Sequence, residues 1–312
     1  MSDRRRQIGR SVRIGFGILG LLFVVVAFRQ TWQGSPVEQF PRWWSIATAE
    51  LLVVVGLAGA GRGWVCLFEG RGSNRDLTQA FYLSQLGKYV PGAIWQAVGQ
   101  VGLSHSADVS LVQAATAFPL HALTQVAAGG TVGALIGLYL PPGERLLPLL
   151  GLLLLFPLRR VWMARALRSI TDVFKKGYAA NLPSQRAILR SYVWGIWTLL
   201  WNGTAFALLA SSLDAARPAT AAVPAFAAAW TIGFLAVPFP SGIGIREAVL
   251  MTALSSPAGV GPLMVASIVH RLLTMIGELL MIALTRTRAF RRAEAMLPRT
   301  GPQSGPGRDS RT

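Results

Sequence analysis

Two apolar stretches of the sequence are each interrupted by a short motif that combines Pro, Gly and charged residues. The first motif occupies residues 87–96 and reads GKYVPGAIWQ, and the second occupies residues 238–247 and reads PFPSGIGIRE. Proline stops a helix and glycine opens backbone geometry that other residues avoid, so a new helix is expected to begin after each break. The free N–H groups and the dipole at the start of that helix favour an anionic group.

Each motif carries a cation within apolar sequence. A lysine at such a position is costly unless it is paired or solvated, which makes Lys88 a functional candidate; the alternative is that it reaches back to the membrane interface. Arg246 offers a planar fork of donors that suits phosphate or carboxylate. Glu247 follows in the first helical turn, where negative charge suits the dipole. The alternative for Arg246 and Glu247 is a structural ion pair that locks the turn.

Polar and small residues around these cations complete the candidate site. Gln96 and Gln100 lie four residues apart and share a helix face, so they are suited to hydrogen-bond a polar ligand or, alternatively, to join helices. The predicted binding residues are Lys88, Tyr89, Pro91, Gly92, Trp95, Gln96, Pro240, Gly242, Gly244, Arg246 and Glu247.

Three further intramembrane charges are predicted to support this site. Arg271, Thr274 and Glu278 fall on one face of the last apolar stretch, and charges inside a span almost always face the bundle interior and pair. Glu278 is expected to pair with Arg246 or Lys88, either gating a transition or holding helices together. Glu50 is a lone carboxylate in another apolar stretch, suited to carry a proton or to partner a buried cation.

The composition is that of a polytopic membrane protein. Of the 312 residues, 52% are hydrophobic and 14% are charged, whereas soluble domains carry about 25% charge. The net charge of +17 does not indicate nucleic acid, because the basic residues lie in loops and tails between apolar segments, where they set membrane topology. A basic cytoplasmic face would attract anionic lipids.

The sequence predicts neither a metal site nor a cofactor. Cys66 is the one cysteine, and the three histidines are scattered without metal-ligand spacing. Phosphate-binding loops, dinucleotide fingerprints and nucleophile elbows are absent from the sequence.

Hydropathy predicts six full spans and two broken regions, in an all-α integral membrane bundle. The predicted spans are Ile14–Phe28, Trp43–Gly61, Leu111–Leu140, Leu146–Met163, Ser191–Leu213 and Pro262–Leu284. The broken regions are Leu77–Leu103 and Ala221–Leu254.

Charge predicts the orientation of these spans. Four segments, namely the N-terminal tail, residues 62–76, residues 159–190 and the tail from Arg286, hold 23 of the 30 basic residues, so they are expected in the cytoplasm. Each broken region must then enter and leave on one side, as re-entrant hairpins from opposite faces do in inverted-topology transporters. The alternative is eight full crossings with Pro-kinked helices.

The two motifs, in this order, resemble the signature motifs of the lysylphosphatidylglycerol synthase transmembrane family, whose flippase-like membrane region also occurs alone. The resemblance covers nearly the whole chain in length and span pattern. It implies movement of a lipid with a polar head between leaflets. In two-part members a soluble C-terminal domain attaches lysine to phosphatidylglycerol, and this chain ends soon after its last span, so lysyl transfer is not expected.

The resulting expectation is a flippase-like protein, not an enzyme, that translocates a phospholipid or polyprenyl-linked glycolipid with an anionic headgroup. A membrane glycosyltransferase and a non-transporting subunit of a cell-envelope assembly remain alternatives. The expected domains are a basic cytoplasmic tail (1–13), a flippase-like transmembrane domain (14–285) and a basic disordered cytoplasmic tail (286–312). The expected location is the plasma membrane, with both termini cytoplasmic. Lipid identity, direction, energy source and oligomeric state are open.

Overall fold

The computed structural model describes residues 40–89, 94–105, 107–159, 182–215, 219–236, 244–254 and 260–285. In these ranges every regular element is helical, and no strand occurs. Four of the helices have the length and apolar composition needed to cross a bilayer: α1 (Trp43–Cys66), α4 (Leu111–Ala134), α5 (Gln185–Ser212) and α8 (Val260–Thr285). The described residues therefore confirm the all-helical architecture predicted for a membrane protein.

Six full spans are not what the described residues contain. The predicted span Leu146–Met163 is, as far as it is described, a 3-10 helix (Leu147–Leu158). The sequence did not predict this winding, because hydropathy does not distinguish an α-helix from a 3-10 helix. A second 3-10 segment, Leu135–Tyr139, extends α4. The predicted span Ile14–Phe28 and both tails lie outside the described residues.

The first broken region is a helical hairpin, hereafter the first hairpin. It consists of α2 (Asn74–Gln85), a short 3-10 turn (Leu86–Tyr89) and α3 (Ile94–His105). At its base the Ser73 N–H donates to the Ala107 carbonyl at 3.2 Å. Nearer the tip, the Gln96 amide donates to Gln85 Oε1 at 3.1 Å. The two arms are therefore antiparallel, and each is only about 18 Å long, shorter than the hydrocarbon core.

The second broken region also consists of two short helices in contact, hereafter the second hairpin. They are α6 (Ala222–Leu235), preceded by the 3-10 turn Ala219–Ala221, and α7 (Ile245–Leu254). The Arg246 guanidinium of α7 lies 5.5 Å from the ring centroid of Phe226 in α6.

Small residues let the long helices approach closely, as expected for helices in lipid. Gly56 and Gly63 of α1 lie against Thr198 and Ser191 of α5 respectively, and the order of these contacts makes the two helices antiparallel. The last helix, α8, packs against α1, α2, α5 and α7, so it touches both hairpins. Large apolar side chains such as Val193 (60% exposed) point outward, as a lipid-facing surface requires.

Candidate functional site

The tip of the first hairpin is joined to α8 by an ion pair between Lys88 and Glu278. Lys88 lies in the 3-10 turn that follows α2, just before the Pro/Gly motif in the sequence. Glu278 is 1% exposed, whereas the Lys88 side chain is 26% exposed. A carboxylate buried this deeply needs a cationic partner, and the structure supplies it from another element.

The start of α7 is organised by Glu247. Its Oε2 accepts from the Gly244 N–H at 2.8 Å, so the third residue of the helix caps the residue that precedes it. Gly244 has a φ of +85°, which glycine adopts without strain. The other carboxylate oxygen accepts from Ser267 Oγ at 3.2 Å and lies 2.8 Å from Arg271 Nη2. Glu247 therefore caps the turn and forms an ion pair with Arg271 of α8.

The ion pairs assign partners that the sequence left open. Glu278 pairs with Lys88, one of the two cations expected for it. Arg246 places its guanidinium over Phe226, at the distance of a cation–π contact. Thr274 donates its hydroxyl to His270 O of its own helix at 2.9 Å.

One face of α8 therefore receives both hairpins. Arg271 contacts the second hairpin and Glu278 contacts the first. Seven residues of α-helix separate these two positions by about 10 Å along the axis. The two broken regions, far apart in the sequence, meet the same helix at positions about two turns apart.

Other predicted residues lie outside these ion pairs. Gln96 bonds to Gln85 within the first hairpin, and Trp95 is 45% exposed. Both carboxylate oxygens of Glu50 are buried and have no hydrogen-bond partner among the described residues. Glu50 Oε1 lies 3.4 Å from the position that a β-carbon would take at Gly277, so this carboxyl faces α8 at Gly277.

Several predicted site residues cannot be placed. Pro91, Gly92, Pro240 and Gly242 lie outside the described residues, and so does the side chain of Tyr89.

Sequence reasoning missed three residues that shape the site. Phe226 carries the Arg246 guanidinium, and Ser267 donates to Glu247. Buried His270 lies 3.1 Å through Nε2 from Asn202 O of α5, and its ring meets Phe226 edge-on at 4.7 Å. Ser267 and Arg271 are four residues apart on α8 and therefore share a helix face. This spacing was the one signal in the sequence that could have placed Ser267 at the site.

The described residues bring no three His, Cys, Asp or Glu side chains together as a metal site would require. In comparisons with known proteins, no family model matches the chain and no curated protein matches it.

Proposed function

We propose that this protein translocates a membrane lipid with an anionic headgroup. The observation that carries the proposal is the convergence of both hairpins on one face of α8 through ion pairs, Lys88–Glu278 and Arg271–Glu247. Ionisable residues within a membrane bundle are costly, and they are characteristic of substrate and ion pathways. The four charges of these two ion pairs lie on the two hairpins and on α8. This concentration favours a substrate pathway over unrelated structural contacts.

The ion pairs provide a mechanism of exchange. Glu278 neutralises Lys88 and Glu247 neutralises Arg271. An incoming phosphate replaces one carboxylate as the partner of the cation, and the displaced carboxylate takes up a proton, so neither group is left as an unpaired charge in a medium of low dielectric constant. Release of the carboxylate loosens that hairpin from α8. The acyl or prenyl chains stay in the bilayer throughout.

Arg246 is the second contact proposed for the headgroup. It lies at the beginning of α7, where the helix dipole also favours an anion. The Arg246 guanidinium lies over the Phe226 ring, and its planar fork of donors is the kind of group that binds phosphate or carboxylate.

The proposed topology has six spans and two re-entrant hairpins in an inverted arrangement. The protein is proposed to lie in the plasma membrane, with both termini in the cytoplasm. The closed base and short arms of the first hairpin support re-entry, since neither arm reaches across the hydrocarbon. Irregular backbone at membrane depth is tolerated where it is buried in protein or lines a wet cavity. The broken segments are therefore proposed to line the lipid path.

The substrate class is a phospholipid or a polyprenyl-linked glycolipid. The proposal places the chain with the lysylphosphatidylglycerol synthase transmembrane family, as its translocating region. The resemblance of the motifs at residues 87–96 and 238–247 supports this assignment.

Reconstitution tests the proposal. Purified protein in liposomes is given labelled phosphatidylglycerol, aminoacyl-phosphatidylglycerol or a polyprenyl-phosphate sugar, and transbilayer movement of each lipid is measured. We expect movement of at least one of them, reduced to background by Arg246→Ala. The matched control is Arg145→Ala, which changes an exposed loop arginine and should leave the rate unchanged. Folded wild-type protein that moves none of the three lipids would overturn the proposal.

A further inference from the structure

A second basic and aromatic cluster lies away from the hairpins, where the C-terminal end of α1 meets the N-terminal part of α5. The Arg62 guanidinium of α1 lies 5.3 Å from the ring centroid of Trp194 in α5. One helical turn further along α1, Cys66 lies close enough to both Arg62 and Arg190 for their charges to act on its thiol. Neither Arg62 nor Arg190 has a carboxylate within ion-pair distance among the described residues.

Three tryptophans continue from this basic end towards the middle of α5. The rings of Trp194 and Trp197 are 5.8 Å apart, and those of Trp197 and Trp201 are 5.4 Å apart. Trp197 is 39% exposed, and its indole N–H donates to Val55 O of α1 at 3.0 Å, which fixes the ring across the α1–α5 seam. The tryptophans thus form an ordered aromatic strip on an outward-facing seam.

The position of the cluster along α5 suits a lipid. A helix of 28 residues is about 42 Å long, so its ends extend past a hydrocarbon core of about 30 Å. Arg190, the sixth residue, therefore lies at the edge of the hydrocarbon core, within side-chain reach of lipid phosphates, and Trp194 to Trp201 lie beside the acyl chains. The first turn of α5 carries no acidic residue, so the helix dipole also favours an anion there.

The geometry points to a binding site for one anionic phospholipid at this seam, with its phosphate on Arg62 and Arg190 and one acyl chain along Trp194, Trp197 and Trp201. The charge of the two arginines and the apolar strip below them match the two halves of such a lipid. A zwitterionic lipid would bring its own cation to the same arginines and bind more weakly. This site is separate from the Lys88 and Arg246 residues, and it holds whether or not the protein translocates lipids.

Native mass spectrometry of the detergent-purified protein tests the site. Phosphatidylglycerol and phosphatidylcholine with identical chains are titrated against wild type, Arg62→Gln/Arg190→Gln and Arg71→Gln/Arg75→Gln. The last variant is a matched control, because both of its residues are exposed near the same Arg-rich end and it loses the same charge. We expect wild type and control to prefer phosphatidylglycerol, and the first variant to lose at least about tenfold in affinity for it, as removal of a charge-assisted contact predicts.

A second measurement needs no variant at the arginines. The tryptophan fluorescence that the Trp197→Phe variant lacks is assigned to Trp197. Phosphatidylglycerol brominated on the acyl chain should quench this fluorescence at a lower mole fraction than brominated phosphatidylcholine does. Equal binding of the two lipids, or unchanged affinity in Arg62→Gln/Arg190→Gln, would overturn the proposal. Displacement of the bound lipid by soluble glycerol phosphate would also overturn it, since it would identify a plain anion site. Failure of translocation in liposomes would leave these outcomes untouched.

Discussion

Lys88 and Glu278 form an ion pair although 190 residues separate them in the sequence. The pair joins the tip of a helical hairpin to the C-terminal half of α8, and its carboxylate is almost wholly buried. Removing either partner leaves a charge without compensation, which is more costly than removing both. This asymmetry makes the pair directly testable.

Exchanging the two charges separates their pairing from their individual identities. Lys88→Glu and Glu278→Lys should each lower the free energy of unfolding by about 3 kcal/mol, at the low end of the range for buried pairs because Lys88 is partly exposed. The double exchange should recover a large part of that loss. Thermal or chemical denaturation in detergent, arranged as a double-mutant cycle, measures the coupling. Additive losses in the double variant would contradict the pairing.

Glu247 should be more sensitive to truncation than to neutralisation. Glu247→Gln keeps an oxygen that accepts from Gly244 N–H, whereas Glu247→Ala removes both the cap and the partner of Arg271. We expect the alanine variant to be less stable than the glutamine variant by about 1 kcal/mol, the usual worth of an N-terminal cap. Denaturation of the two variants side by side measures the difference, and equal stability would remove the capping role.

Glu50 should tolerate neutralisation, in contrast to Glu278. Both Glu50 oxygens are buried without a hydrogen-bond partner in the described ranges, so glutamine of the same shape removes no ion pair. We expect Glu50→Gln to match or exceed wild-type stability, because an unpaired buried charge only costs free energy. Glu278→Gln is the matched comparison, with the same chemical change at a paired position. A loss for Glu50→Gln as large as for Glu278→Gln would refute this expectation.

Two glycines should differ sharply when a methyl group is added. A β-carbon at Gly130 would clash with Gly151 O of the 3-10 helix, whereas one at Gly102 would meet nothing within 4 Å. Gly130→Ala should therefore destabilise the protein by about 1–3 kcal/mol through overpacking. Gly102→Ala should be neutral, or stabilising by up to about 1 kcal/mol, since alanine is the better helix former. Melting temperatures in detergent compare the two, and equal effects would argue against close contact of these elements.

Cysteine labelling tests the proposed re-entry. In a Cys66→Ser background, single cysteines replace exposed Arg71 or Asp108, which flank the first hairpin. An impermeant maleimide should leave both unlabelled in intact cells and label both after permeabilisation.

The second hairpin gives the opposite pattern. Cysteine at exposed Asp214, and at Ser256 outside the described residues, should both react in intact cells. The opposite result is that the two members of a pair react from different sides of the membrane. That result, for Arg71 and Asp108 or for Asp214 and Ser256, would show that the region between them crosses the membrane fully.

The sequence alone determined the features that depend on local composition. Apolar length identified the four helices of spanning size, and Pro and Gly located both breaks. Helical spacing placed Arg271 and Glu278 on one face of the last helix, because residues seven apart lie nearly above one another. The location, orientation and function of the protein stay predictions.

The tertiary structure alone decided which charges meet. Arg246 and Glu247 are neighbours in the sequence, but consecutive side chains on a helix point about 100° apart. Glu247 therefore pairs with Arg271 across a helix contact, and Arg246 turns to Phe226. The 3-10 winding of Leu147–Leu158 likewise escaped hydropathy, which measures apolar content and not backbone pairing. The pairing of charges depends on how the helices pack against one another. Local patterns in a single sequence do not show which distant residues come into contact, so they could not predict these pairs.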